Sequence, residues 1–284
     1  MSQEVIDDII LRALAEDAPW GDATSDVFLP AAARATAMLA AREPGILSGI
    51  DVFARVFELV DDETVVELAG IDGSEFAPGD VLARVDGSAR AVLRAERIAL
   101  NLTQRMSGIA TLTSRYVAAI AGSKARIVDT RKTTPGLRIL ERQAVRDGGG
   151  HNHRFSLSDA VLAKDNHLAV LAAEGISLYD AIRAARARMG HTMHLEVEVD
   201  SIAQIEPVVS AGVDTIMLDN FTPDELREGV AIVAGRAIVE ASGGVNLDTV
   251  AEIASTGVDI ISVGALTHSA RALDLGIDVE VSAG

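Results

Sequence analysis

From about residue 125 onward, short β-branched runs alternate with helical patterns, and this rhythm restricts the fold more than any other feature of the chain. The apolar runs fall at 125–128, 159–163, 194–199, 215–218, 237–239 and 259–263. Helical patterns are read between them at 177–189, 202–211, 223–233 and 247–255. Such alternation predicts a parallel sheet with crossover helices. Buried runs recurring at this spacing suit a β/α barrel at least as well as a doubly wound sheet.

The first 88 residues have a different texture. An amphipathic helix carrying Val5, Ile6, Ile9, Ile10, Ala13 and Leu14 precedes strand-like pieces at 35–41 and 64–68. Pro44-Gly45, Asp72-Gly73 and Pro78-Gly79-Asp80 break the pattern between them, as in a small α+β domain. A Pro-free stretch at 89–121, with one glycine at 108, reads as one or two helices leaving that domain.

In the second half, the residues at the end of each run are more telling than the run itself. Asp129, Thr130, Arg131 and Lys132 come after the first, and Lys164, Asp165, Asn166 and His167 after the second. Glu196 and Glu198 lie on the third, and Asp219 and Asn220 come after the fourth. Glu240 and then Ser242-Gly243-Gly244 succeed the fifth, and Gly264 the sixth. The predicted C-terminal strand ends are therefore polar, and that is where barrels carry their active sites.

Charge gives this ring a sign. The chain has 25 Lys and Arg against 42 Asp and Glu, net −17, with few aromatics, which argues against nucleic acid as partner. Residues 124–164 nevertheless hold nine Lys and Arg against four Asp and Glu, including all three lysines, Lys124, Lys132 and Lys164. Clustered cations are costly unless an anion compensates them, so the island points to a strongly anionic ligand; the alternative is a solvated basic face. Arg131, Lys132, Arg154 and Lys164 supply the guanidinium forks and ammonium point charges that carboxylates and phosphates take.

Three further motifs add chemistry. Gly148 to Arg154, GGGHNHR, places two imidazoles and a guanidinium after glycines that let backbone approach a ligand. A flexible loop with incidental histidines is the plain alternative, and His-x-His shows no third metal ligand. Glu196 and Glu198, two apart on a strand, share one face; if it is the interior, both need cations, a metal or hydroxyl donors. With Asp219 they suit ribose hydroxyls or magnesium, while an internal salt bridge to Lys164 or an arginine is the alternative for Glu196 and, less so, for Glu198. Ser242, Gly243, Gly244 and Gly264 suggest a phosphate cup of backbone N–H groups.

The absence of cysteine rules out disulfides and thiolate sites. The N-terminus has acids where a signal peptide has basic residues, and no apolar run reaches membrane-spanning length without a charge or break. The expected location is the cytoplasm, with no membrane partner.

With these pieces in place the chain resembles the quinolinate phosphoribosyltransferases. The resemblance rests on ERIALNLTQRMSGIAT (96–111), DTRKTTPGLR (129–138), GGGHNHR (148–154), LAKDNH (162–167), LEVEVD (195–200), IMLDNF (216–221), EASGGV (240–245) and ISVGALTHS (261–269). It implies an incomplete α/β barrel, residues 111–269, with an N-terminal α/β sandwich, residues 1–110, joined by the C-terminal segment 270–284. The implied reaction moves phosphoribosyl from phosphoribosyl pyrophosphate to quinolinate with decarboxylation, a step of NAD synthesis, with Mg²⁺ as cofactor.

Carried over by residue, the resemblance implies a pocket of Thr130, Arg131, Lys132, His153, Arg154 and Lys164 for quinolinate and pyrophosphate. Arg97 would enter from a partner subunit of a homodimer with shared active sites, or of a higher oligomer built from such dimers. Glu198 and Asp219 would hold the ribose hydroxyls and the metal, and Ser242, Gly243, Gly244 and Gly264 the 5′-phosphate. Lys132, Lys164, Glu198 and Asp219 are the implied catalytic residues. Two competing readings remain from the residues: a Schiff-base lyase using Lys164, and a sensor of phosphorylated ligands without turnover.

Overall fold

A computed structural model describes residues 3–280. Residues 1–2 and 281–284 lie outside the described residues, and with them the end of the expected 270–284 segment. The chain forms two compact units. One holds the residues up to Ser114 with 133–149 and the stretch from Leu266 onward; the other holds Arg115–Lys132 and Gly150–Ala265. No helix among the described residues is long and apolar enough to cross a membrane.

The first unit is built on an antiparallel sheet in the order Leu275–Glu280, Arg34–Ala41, Val81–Ser88, Val65–Leu68. Ala35, Ala37 and Leu39 alternate into its buried face. The helix Ile50–Val60 buries Phe53 and Phe57, whose rings are tilted with centroids 5.0 Å apart. The helix Gln3–Asp17 buries Ile6, Ile10 and Leu14 at one-turn spacing.

The Pro-free stretch is a single helix, Ala89–Ala119. Its one interior glycine marks a close approach: a Cβ on Gly108 would lie 1.9 Å from the carbonyl oxygen of Arg271. Arg105 on the same helix donates to the buried carboxylate of Glu141 at 2.8 Å, to the carbonyl of Ala270 at 2.8 Å and to that of Thr267. This hub explains a departure from the sequence reading, which assigns 111–269 to the barrel. Residues 133–149 and 266–269 cluster with the first unit instead. The helix Arg138–Asp147, which carries Glu141, is absent from the sequence reading; Leu137 precedes it with no capping side chain.

The second unit is an all-parallel sheet in the order Arg126–Val128, Ile260–Ser262, Ile238–Ser242, Thr215–Asp219, Leu195–Val199, Val161–Ala163. From the Val161 strand onward each new strand is added beside the last, which is the winding of a barrel rather than the reversing order of a doubly wound sheet. The two outermost strands share no ladder, so the barrel is not closed. Helices Asp165–Ala173, Leu178–Arg188, Ile202–Ser210, Pro223–Val233 and Val250–Ser255 lie between strands in sequence. All five residues of Leu195–Val199 are buried, as in a strand covered on both faces.

Candidate active site

Register fixes which side chains meet. Paired residues of neighbouring strands face the same way, so Glu198, Met217, Glu240 and Ile260 form one row across four strands. Lys164, just past the end of the Val161–Ala163 strand, continues that register to stand beside Glu198, and one step toward the C-terminal ends Asp219, Ser242 and Ser262 share the face by the period of two. These side chains, with Leu162, Thr130, Arg131, Lys132, His153 and Arg154, line a cavity of about 240 Å³, to which Ile260 alone of the row does not contribute. Nine of the thirteen residues singled out from sequence therefore stand around one space: Thr130, Arg131, Lys132, His153, Arg154, Lys164, Glu198, Asp219 and Ser242.

The other four are placed elsewhere. Gly243, Gly244 and Gly264 come after the strand ends but do not line the cavity. Gly243 has φ +87°, and a Cβ there would lie 2.2 Å from Asn220 Oδ1, so this glycine serves a contact with Asn220. Arg97 is an exposed residue of the Ala89–Ala119 helix and is not among the lining residues. An adjoining hollow of about 650 Å³ shares Glu198 and Asp219, but it is bordered by Leu168, Leu171, Ile176 and Leu178 and holds no cation. The smaller cavity is the candidate site because the charge is there.

A buried carboxylate organises the histidine loop. Asp129, fully buried at the end of its strand, accepts from His153 N at 2.7 Å and from Asn152 Nδ2 at 2.6 Å. His151 bridges to Val128 beside it, so the loop is an ordered extension of the sheet edge. The first glycine of the triplet approaches backbone rather than ligand: a Cβ on Gly148 would lie 2.4 Å from Ala110 O. That corrects the sequence reading of this residue.

The cations are arranged against one another as well as against acids. Arg154 Nη1 donates to Ala160 O at 3.0 Å, and burial together with the nearby Arg131 guanidinium lowers its pKa. Lys164 Nζ forms an ion pair with Glu198 Oε2. This is the internal salt bridge that the sequence left as the alternative for Glu198; for Glu196 the pairing with Lys164 is not formed, and Glu196 turns to His153 instead. Thr130 Oγ1 accepts from Lys132 N at 3.1 Å, which shapes the turn carrying Arg131.

Beneath these groups lies a cluster that no sequence signal marks. His153 Nε2 is 3.1 Å from Glu196 Oε2 and 3.5 Å from Glu240 Oε2, and both glutamates are buried. Oε1 of each glutamate is buried with no hydrogen-bond partner. Burial alone would lower the His153 pKa, but hydrogen bonds and charge from Glu196 and Glu240 outweigh it and push it up to about 10. Burial raises the Glu196 pKa, with Glu240 adding to it and His153 opposing. Arg154 N donates to His153 Nδ1 at 2.8 Å, so the neutral ring carries its proton on Nε2, and protonating Nδ1 costs that bond. These three donors are of the kind a divalent cation takes. A proton on Nε2 occupies the atom that a metal would need.

Glu198 and Asp219 offer a different donor set. Glu198 uses Oε2 for Lys164 and Asp219 uses Oδ2 for Asn220 at 2.6 Å, leaving each a second carboxylate oxygen. Hard oxygen donors at the cavity edge fit magnesium, which keeps waters or substrate oxygens in its shell.

A singly wound parallel α/β sheet whose C-terminal strand ends enclose a cationic, carboxylate-floored cavity is the architecture of a barrel-type enzyme acting on anionic substrates. Comparison with known proteins narrows this class. The sequence profile of the quinolinate phosphoribosyl transferase C-terminal domain matches residues 109–278, and that of its N-terminal domain matches residues 22–107. The chain belongs to the quinolinate phosphoribosyltransferase family. It is 44% identical to the nicotinate-nucleotide pyrophosphorylase (carboxylating) of Mycobacterium leprae (strain TN), covering 96% of each chain. It is 41% identical to the probable nicotinate-nucleotide pyrophosphorylase (carboxylating) of Bacillus subtilis (strain 168), covering 94% of this chain and 91% of that one. Among solved structures, NadC from Streptococcus pyogenes is similar with a TM-score of 0.94 and 40% identity, over 100% of this chain and 99% of that one.

Proposed function

We infer that the protein transfers the phosphoribosyl group of phosphoribosyl pyrophosphate to the ring nitrogen of quinolinate with decarboxylation. The products are nicotinate mononucleotide, pyrophosphate and CO₂, a step of NAD biosynthesis. Beside family membership, one observation carries the reading: Arg131, Lys132, Arg154 and Lys164 meet Glu198 and Asp219 around one cavity. Two anionic substrates need the cations, and a ribose ring that gains positive charge needs the acids.

The pyridine nitrogen is already a nucleophile, so transfer needs alignment and charge stabilisation, with no general base. Arg131 and Arg154 orient the quinolinate carboxylates, and Lys132 and Lys164 stabilise charge growing on the departing pyrophosphate. Glu198 and Asp219 would hold the ribose hydroxyls and magnesium, which when bound would neutralise phosphate charge. Ser242 sits on the wall, and the backbone at Gly243, Gly244 and Gly264 is assigned to the 5′-phosphate. The occupied ring nitrogens of His153 make it a shaping residue of the wall rather than a direct carboxylate ligand. Arg97 is assigned to the site of a partner subunit in a homodimer, and the cytoplasm to the protein's location.

The test is an assay of purified protein with phosphoribosyl pyrophosphate, Mg²⁺ and either quinolinate or nicotinate. CO₂ and mononucleotide in equal amounts from quinolinate alone are expected. Turnover of nicotinate instead would refute the acceptor, and binding of phosphoribosyl pyrophosphate without turnover would favour the sensor.

A further inference from the structure

Among the described residues, only Asn220 and Ala234 combine a side chain with a left-handed backbone, at φ +60° and +48°. Ala234 ends the helix Pro223–Val233, a usual place for that conformation. Asn220 ends no helix; it is the first residue beyond the strand Thr215–Asp219. Asparagine tolerates the left-handed region better than most side chains, and its use here turns the chain sharply just after Asp219.

The bonds of Asn220 show what this turn achieves. Its backbone N donates to Ser242 O at 2.9 Å, across to the neighbouring strand. Its Nδ2 donates to Asp219 Oδ2 at 2.6 Å; a carboxylate only accepts, so the amide must present its nitrogen there. The amide oxygen lies over Gly243, where a Cβ would overlap Oδ1 and come within 2.8 Å of Asn220 N. One side chain thus fills the space between Asp219 and the Ser242-Gly243 turn, and glycine at 243 leaves room for it.

We propose that Asn220 is a positioning residue for the ribose-5-phosphate half of the substrate, fixing the Asp219 carboxylate relative to the backbone at Gly243 and Gly244. This rests on the functional reading above, in which Asp219 takes ribose hydroxyls and that backbone takes the 5′-phosphate. Hydroxyls and phosphate belong to one small molecule, so the groups that receive them must keep one separation, although they come from different strands. The ladder pairs Ser242 with Asp219 and ends there. Asn220 carries the connection one residue further, and by engaging Oδ2 it leaves Asp219 Oδ1 to a ligand. Asn220 does not line the cavity that holds the cations, so quinolinate binding should not depend on it.

Calorimetric titration in buffer free of divalent cations tests this with two ligands. Nicotinate mononucleotide carries the ribose hydroxyls and 5′-phosphate; quinolinate carries neither. Asn220→Gly keeps the left-handed backbone accessible and removes the amide, while Asn220→Asp keeps the side-chain shape and sets a second carboxylate against Asp219. In Asn220→Gly the mononucleotide affinity should fall on the order of 10- to 100-fold, the worth of a hydrogen bond to a charged group, with quinolinate affinity within about twofold of wild type. Asn220→Asp should lose at least as much. Gly243→Ala reaches the same contact from the other strand and should show the same selective loss. Circular dichroism reports that each variant is folded. Equal losses for both ligands would make Asn220 a general support of the fold, and undiminished mononucleotide affinity would show that Asp219 needs no tether; either result overturns the proposal. Wild-type protein is the control: if it binds no nicotinate mononucleotide, the functional reading falls and this proposal with it.

Discussion

The two ends of the parallel sheet spend charge in opposite ways. At the N-terminal ends of the strands, Lys124 pairs with Asp259 and Arg186 with Asp214, each at 2.6 Å. The same two acids accept backbone N–H groups where strands begin: Asp214 takes Leu195 N at 2.7 Å and Asp259 takes Val239 N at 2.9 Å. At the C-terminal ends, Arg131 and Arg154 face one another, and Lys132 and Lys164 stand near them on the same wall. One end neutralises its charges internally and fixes register. The other gathers Arg131, Lys132, Arg154 and Lys164 around one cavity, with Lys164 also paired to Glu198, and it is to this wall that the proposed function assigns the anionic ligands.

The largest effect expected from breaking this contrast is kinetic. Arg154→Ala or Lys164→Ala should lower kcat with quinolinate on the order of 10² to 10³, with an unchanged circular dichroism spectrum. Turnover within threefold of wild type would contradict their assignment. Next comes ligand-dependent stability: pyrophosphate at about 100 times its Kd should stabilise wild type by about 2.7 kcal/mol, seen as a raised Tm. The rise should vanish in Arg154→Ala and persist in Asp214→Asn, and equal shifts in both would erase the distinction between the ends.

A smaller effect belongs to the opposite end. Asp214→Asn disturbs one ion pair and one backbone hydrogen bond, so urea unfolding should show a loss of about 1 kcal/mol with kcat unchanged. Burial pushes the Asp214 pKa up, but Arg186 and Leu195 N outweigh it and leave the value lowered. Its stabilisation is therefore complete above the ordinary 3.8 and is lost as pH falls through the lower folded value. The difference between wild type and Asp214→Asn should narrow in acid; a constant difference would assign the loss to packing. The smallest effect is Lys124→Ala, an exposed pair expected to cost less than about 1 kcal/mol.

Legibility from sequence tracks local signals. The helix Pro223–Val233 is legible with its observed limits because Thr222, Pro223 and Glu225 form a capping box with proline at the first turn. Arg138–Asp147 lacks any capping side chain and escapes the sequence reading. The same division holds in the site. Residues at strand ends are legible because topology alone brings them to one rim. The pairing of His153 with Glu196 and Glu240 joins positions far apart in sequence and depends on Asp129 holding the loop, so no spacing announces it. The hub around Arg105, which draws 133–149 into the first unit, is hidden for the same reason.

Gly108 limits how this sequence can drift. Even a methyl group there would overlap a carbonyl oxygen of the stretch after Thr267, and backbone cannot swing aside as a side chain can. A saturation mutagenesis library selected for growth would rank Gly108 beside Arg154 and Lys164 in intolerance, though it lies on a helix and touches no substrate. Intolerance in such a map would mark steric necessity as readily as chemistry, and only thermal stability of the purified Gly108→Ala protein would tell the two apart.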